Sequence, residues 1–317
     1  MNDEIMVSIV CIAFNHELYI GDCLEGFVNQ KTNFKFEVLI HDDASTDKTA
    51  DIIREYESKY PDIFKPIYQK ENQYSQGVKF GEKYIYPKLR GKYVAWCEGD
   101  DYWCDDNKLQ KQVDFLERHP EYSACVHNSY RLDCRSNVKS LYNPATTDYD
   151  IATEEIIENW GKVYHTSSLV VKRDFLVLPD VFLTKSFRDY PRAIYTAVCG
   201  KIRYLKDVMS VYRFFAKGSW SETKEAGGVK RDTRHHKEVI ALCKQIDEAT
   251  DFRYHASFQK VININTVEIL ANEHNYREIA RKSEYKEIFL SGASAKKKIL
   301  LIVGSIFPTL VKKHFAK

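Results

Sequence analysis

Trp96-Cys97-Glu98-Gly99-Asp100-Asp101-Tyr102-Trp103 ends a short apolar run with three carboxylates, Glu98, Asp100 and Asp101. Clustered acids repel one another, and burial raises the cost unless a cation or a proton relieves it. Gly99 between them lets the backbone turn sharply and come close to a ligand. The natural relief is a hard divalent ion, held by one or two carboxylates and completed by phosphate oxygens.

Two other segments repeat the pattern of an apolar run opening into polar residues. Val7–Phe14 runs into Asn15-His16, and Phe36–Ile40 into His41-Asp42-Asp43, as Tyr93–Cys97 runs into the acids at 98–101. Short, nearly continuous apolar runs are what parallel strands buried on both faces look like. Helical stripes lie between them: Ile20, Leu24, Phe27 and Val28, then Ile52, Ile53, Tyr56 and Tyr60, stopped by Pro61. Ser45, Thr46 and Asp47 suit the start of the second helix as caps. Alternating strand and helix predicts an α/β fold with a parallel sheet. Ligands of such sheets bind beyond the carboxyl ends of the strands, where all these acids fall.

Further along, Leu109, Val113 and Leu116 predict a helix over Lys108–Arg118, residues 135–150 read as a polar loop, and Leu169–Val171 as a strand. Ile202–Arg213 alternates enough for one or two strands, and Arg231–Glu287 is mostly helical and charged. There is no internal repeat and no low-complexity tract.

With 317 residues, a 44% hydrophobic and a 29% charged fraction, the chain has the make-up of an ordinary globular protein. Its net charge of +2 gives no general case for nucleic-acid binding. Eight cysteines include no C-x-x-C pair, and Cys11 and Cys97 sit in apolar runs as small hydrophobes, which fits a reduced, cytoplasmic setting. The start, Met-Asn-Asp-Glu, lacks the basic opening of a signal peptide. The tail differs from the rest: Lys296, Lys297, Lys298, Lys312, Lys313 and Lys317 flank an apolar stretch from Ile299 to Val311, with no acid among them. That stretch is shorter than the ~20 residues a spanning helix needs. It reads as an anchor on the anionic inner face of the cell membrane, or as a helix docked on the core.

Asp42-Asp43-Ala44-Ser45-Thr46-Asp47 can be a turn and helix cap, or can offer a carboxylate to a base N–H or a ribose hydroxyl. It is a poor EF-hand, with Lys48 where the glycine belongs and Arg54 in place of the last glutamate. Taken together, the strand at Val7–Asn15, Asp42–Asp47 and Gly91–Trp103 resemble glycosyltransferase family 2, the inverting nucleotide-sugar transferases of the GT-A fold. The likeness is closest to a bacterial branch with a Glu-Gly-Asp-Asp-Tyr-Trp metal motif followed by a Lys-Leu-Gln-Lys-Gln helix, as at Lys108–Gln112, and covers about residues 5–222.

The resemblance implies a GT-A domain at 1–225, with a nucleotide-sugar and metal half (1–125) and an acceptor half (126–225). A helical extension (226–290) and the basic tail (291–317) follow. It also implies roles. Asp42 and Asp43 would meet the uracil and ribose of a UDP-sugar, and Ala13, Phe14 and Asn15 would close over the base. Asp100 would hold Mn2+ or Mg2+ on the diphosphate, supported by Glu98 or Asp101. Asp189, in Phe187-Arg188-Asp189-Tyr190-Pro191 before an apolar helix pattern, would be the base for the acceptor hydroxyl, although locally it also reads as a helix cap. Tyr212-Arg213-Phe214-Phe215 and Gly218-Ser219-Trp220-Ser221 resemble the branch's end segment, with Phe215 where a histidine is usual. Arg213 is then a diphosphate contact. Trp220 stacks on a sugar or packs in the core, and His165 lines the acceptor side or is structural. The implied activity is metal-dependent transfer from a UDP-sugar to a saccharide, carried on a lipid, in bacterial surface polysaccharide synthesis. Its rivals are an inactive relative serving as a scaffold, and a sugar nucleotidyltransferase, whose Gly-x-Gly-Thr-Arg loop is missing after the first strand.

Overall fold

The computed structural model describes residues 4–184, 189–219, 221–222, 228–291 and 294–307. Trp220 and the tail beyond Phe307 therefore lie outside the described residues. The chain divides into two compact units, one of residues 1–178 and 192–224, the other of 179–191 and 225–317.

The first unit is built on strands β1 (Ile5–Ala13), β2 (Lys35–Asp42), β3 (Phe64–Tyr68) and β4 (Tyr93–Trp96), all parallel, in the order β3-β2-β1-β4. The three apolar runs thus become three neighbouring strands, buried on both faces over most of their length. Helices α1 (Ile20–Val28) and α2 (Thr49–Lys59) supply the crossovers. α1 buries Ile20, Cys23, Leu24 and Phe27, and the Phe27 ring meets Trp103 edge-on at 4.9 Å. Each such side chain taken from water contributes about 1.5–3 kcal/mol. Of the three expected caps of α2, only Asp47 reaches its first turn, accepting from Thr49 N at 2.9 Å.

Beyond β4 the sheet becomes mixed. Strands β9 (Val170–Lys172) and β6 (Tyr122–Asp133) follow, β9 antiparallel to both neighbours, and then β10 (Lys201–Phe214), parallel to β6. The short β5 (Tyr102–Trp103) pairs antiparallel with β10 and carries the end of the acidic motif onto it. Ile202–Arg213 is one long strand whose register shifts against β6, rather than two. Helix α3 (Lys108–Arg118) buries the expected Leu109, Val113 and Leu116.

The stretch read as a polar loop, 135–150, contains two strands, β7 (Val138–Leu141) on β6 and β8 (Tyr149–Ile151) on β10. β7 is exposed throughout, so no apolar alternation marks it. Its pairing with β6, set by tertiary context, makes it a strand. Helix α4 (Thr153–Glu158) also belongs to this unit, and α5 (Asp189–Cys199) begins in the second unit and continues in the first from Arg192.

The second unit is helical: α6 (Gly228–Ala249), α7 (His255–Asn272), α8 (Tyr276–Arg281), α9 (Ser283–Leu290) and α10 (Ala295–Ile306). Val267, Tyr276, Ile279, Tyr285 and Leu301 form one of its cores. Among the described residues no helix is long and apolar enough to cross a membrane.

Candidate active site

The carboxyl ends of β1, β2 and β4 meet. Ala13 stands opposite Asp42 across the β1–β2 ladder, and Val10 opposite Trp96 across β1–β4. The ladders continue into the loops: Asp43 N donates to Ala13 O, and Gly99 N to Ile12 O, both at 2.9 Å. Gly99 is where the chain needs to lack a side chain. A Cβ there would lie 2.8 Å from His16 Nδ1, 2.9 Å from Ile20 Cδ1 and 3.3 Å from Ala13 Cβ.

The loop after β1 is stapled to the loop after β2. Asn15, with φ of 55°, donates from its backbone to Ser45 Oγ at 2.9 Å, and its side-chain oxygen accepts from Thr46 N at 2.8 Å. His16 N donates to Thr49 Oγ1, Glu17 N to Asp47 Oδ2, and Lys48 N returns a bond to Glu17 Oε2. Much of the Ser45-Thr46-Asp47 motif is therefore spent on holding two loops together. Phe14, between them, is left 41% exposed, an aromatic face open to a planar ligand.

Asp42 and Asp43 are both buried. The Asp43 carboxylate accepts from Gln73 N at 2.7 Å and Tyr74 N at 3.0 Å, so it anchors the 72–74 loop. Each of its oxygens keeps a further lone pair. Asp42 Oδ1 is buried without a hydrogen-bond partner, and burial raises that carboxyl above its ordinary value against the help of Ser45.

Glu98 to Asp101 form a tight turn closed by Asp101 N donating to Glu98 O at 2.9 Å. Glu98 is exposed, Asp100 and Asp101 are buried. Asp101 Oδ1 accepts from Arg213 N at 2.8 Å, whereas Oδ2 is buried with no hydrogen-bond partner. Burial, and then the charge of Asp100, push the Asp101 carboxyl well above its usual range. His165 Nδ1 lies 3.7 Å from that oxygen. Burial pushes His165 down to about 3, so at neutral pH it brings no positive charge. It stacks on Tyr212 at 4.0 Å and bonds Ser167 Oγ at 2.9 Å.

Arg213 is almost buried and spends its guanidinium on the turn, donating to Asp100 O at 3.0 Å and to the Asp22 carboxylate. It also lies over the rings of Tyr102 and Tyr19. Asp189 is exposed at the first residue of α5. Phe215, in place of the usual histidine, has φ of 59°, and Ser221 Oγ accepts from its backbone N–H.

Three contributors escaped the sequence reading. His16 is pushed below its ordinary value by burial, against the opposing charges of Asp100, Asp47 and Asp42. Its position straight after the first strand was the available signal. Asp22 on α1 holds Arg213 and carries no local signature. Lys108 is fully buried below the acidic motif, its Nζ 4.0 Å from the Trp103 ring centre and bonded to Gln112 Oε1 at 2.8 Å. Burial pushes its ammonium down to about 7. Lysine and glutamine four apart on the apolar face of α3 were the hint.

The residues present suit a hard divalent cation. A buried carboxylate oxygen without a partner, destabilised by a second carboxylate beside it, is the charge imbalance such an ion relieves. Among the described residues no three acidic, histidine or cysteine side chains converge to hold a metal by themselves. Asp100 and Asp101 would supply the protein's share and phosphate oxygens the remainder.

The match to the model for glycosyl transferase family 2 spans residues 8–175. An uncharacterised protein of Mycobacterium tuberculosis is 37% identical over 242 residues, 76% of this chain and 68% of its own. The putative teichuronic acid biosynthesis glycosyltransferase TuaG of Bacillus subtilis is 31% identical over 153 residues, 48% of this chain and 58% of its own. Among solved structures, S. aureus TarS 1–349 in complex with UDP-GlcNAc superposes with a TM-score of 0.62 at 17% identity, over 94% of this chain and 79% of that one. The mannosyltransferase PcManGT from Pyrobaculum calidifontis, in complex with GDP-Man and Mn2+, gives 0.57 at 15% identity, over 97% and 88%. At such identities the structural likeness speaks for the fold, which is GT-A. Three strand ends with two acidic turns, and a family match over more than half the chain, lead to one statement: this protein belongs to glycosyl transferase family 2.

Proposed function

We propose that the chain is a metal-dependent inverting glycosyltransferase that moves a sugar from a UDP-sugar to a saccharide carried on a lipid, at the inner face of a bacterial membrane, in surface polysaccharide synthesis. The observation that carries this is the buried, partnerless Asp101 oxygen beside Asp100, past the end of β4, which only β1 separates from β2 and its Asp42 and Asp43. Support for the donor comes from the UDP-GlcNAc held by TarS, for the metal from the Mn2+ of PcManGT, and for the acceptor from the teichuronic acid role in TuaG's description.

In this reading Asp42 and Asp43 accept from the uracil and ribose, and Phe14 with Ala13 and Asn15 covers the base. Asp100 and Asp101 hold Mn2+ or Mg2+, which offsets charge gathering on the departing diphosphate. Arg213 keeps the acidic turn in shape, and Glu98 and His165 border it. Asp189 takes the proton from the acceptor hydroxyl as its oxygen bonds to the anomeric carbon and the bond from that carbon to the diphosphate breaks, releasing UDP with inversion. Trp220 is assigned to the acceptor sugar.

Asp189→Asn is expected to keep Mn2+-dependent protection by UDP against heat unfolding while transfer, read as UDP release, is lost. Unchanged turnover would remove Asp189 from the mechanism. A panel of UDP-sugars in the same melting assay identifies the donor, since the ligand that binds the folded state raises its stability. If no nucleotide protects with or without Mn2+, the reading fails.

A further inference from the structure

Helix α10 is held along one side and bare along the other. Leu301 is 4% exposed and belongs to the core with Tyr276 and Ile279. Gly304 lies so near Tyr276 that a Cβ there would fall 2.4 Å from its ring. Ile299, Ile302, Ile306 and Phe307, by contrast, are 60%, 61%, 62% and 53% exposed, and Val303 is 39% exposed. These positions follow the i, i+3, i+4, i+7, i+8 rule, so they form a single stripe. Single exposed apolar residues are ordinary, but a contiguous stripe marks an interaction surface.

We infer that α10 is a docked helix whose outward stripe, Ile299, Ile302, Val303, Ile306 and Phe307, seats in the headgroup region of an anionic bilayer. The inference rests on the proposed membrane association and deepens it by naming the face. It also joins two readings that the sequence set against each other, because docking on a core and contact with lipid use opposite sides of one helix.

Charge selects the occupant. Lys297 and Lys298 are exposed at the start of α10, and the 296–317 segment has six lysines and no acid. Each lysine near an anionic surface strengthens binding roughly fivefold. A second copy of the chain, paired about a two-fold axis on this stripe, would bring the two lysine groups to one interface, where they repel. Twelve residues make a helix about 18 Å long. That is short of the ~30 Å hydrocarbon core, so the helix lies along the surface.

The test is flotation of the full chain with vesicles of phosphatidylcholine alone or containing 30 mol% phosphatidylglycerol, roughly the charge of an anionic leaflet. Wild type is expected to float with the charged vesicles only. The double variant I302D/I306D is expected to lose roughly tenfold or more of its bound fraction. Lys297→Gln with Lys298→Gln disturbs no packed side and is expected to lose several-fold, which keeps the inference testable if the aspartates unfold α10. If the aspartate variant is folded by circular dichroism and floats like wild type, the face is wrong while membrane association stands. Wild type that never floats sinks both. A wild-type dimer in sedimentation that I302D/I306D splits assigns the stripe to a second copy and overturns the inference. The donor reading is judged apart from all of these, by UDP protection against heat.

Discussion

Two Asp-Asp pairs end two strands of one sheet, and the protein treats their second members oppositely. After β2, the second acid, Asp43, is hydrogen-bonded from within, both carboxylate oxygens accepting backbone N–H bonds from residues 73 and 74. After β4, the second acid, Asp101, receives one N–H from Arg213 and is left with a bare oxygen, a like charge beside it and a neutral histidine as neighbour. Asp43 has both oxygens answered, whereas Asp101, like Asp42 Oδ1 beside Asp43, keeps a buried oxygen without a partner. The second acids thus divide into a bracket and, in the proposed reading, a socket, and the division lies in which donors the fold brings to each.

The sharpest way to break this comparison is Asp101→Asn. Its amide oxygen can still accept from Arg213, so the fold should survive, while divalent-dependent transfer falls by roughly a thousandfold. Without metal the variant should be more stable than wild type by on the order of 1 kcal/mol, since a repelled charge is gone. The pH dependence carries the same sign. With its folded-state pKa raised, Asp101 keeps a proton that the unfolded chain releases above about pH 4. Wild type should therefore lose stability as pH rises from there through the raised value, and Asp101→Asn or added Mn2+ should flatten that slope. Melting curves across pH read both effects.

Asp43→Asn is expected to do the reverse. Two charge-assisted bonds are weakened and an amide N–H is turned toward a backbone donor, so stability should fall by about 2–3 kcal/mol in urea unfolding. If the two asparagine variants shift melting in the same direction, the distinction between bracket and socket is lost. The smallest effect concerns Ala44, whose φ of 62° lies in the left-handed region that favours glycine. Ala44→Gly relieves about 1 kcal/mol of backbone strain, less the flexibility glycine adds to the unfolded chain. A gain of under about 1 kcal/mol is expected, with transfer unchanged.

Much of the fold was legible because apolar runs and helical stripes are local signals. β1, β2 and β4, with α1, α2 and α3, lie where periodicity put them. β7 and β8 were not legible, since an exposed strand such as Val138–Leu141 is made by its partner. At the site, the acids and their turn positions were readable, but their partners were not. Arg213, expected on a diphosphate, spends its guanidinium on Asp22 and Asp100, residues far from it in sequence.

By itself, the sequence determined that acids gather past the ends of buried parallel strands and that the tail is basic and apolar, because side-chain type and spacing are properties of the chain. Only the tertiary structure decided which carboxylate oxygens are satisfied, that a lysine lies buried under Trp103, and that α10 packs by Leu301 and Gly304 while Ile302 and Ile306 stay bare. The reason is physical: whether a charge is answered or an apolar face covered depends on atoms brought near by folding from distant parts of the chain, and no local pattern encodes them.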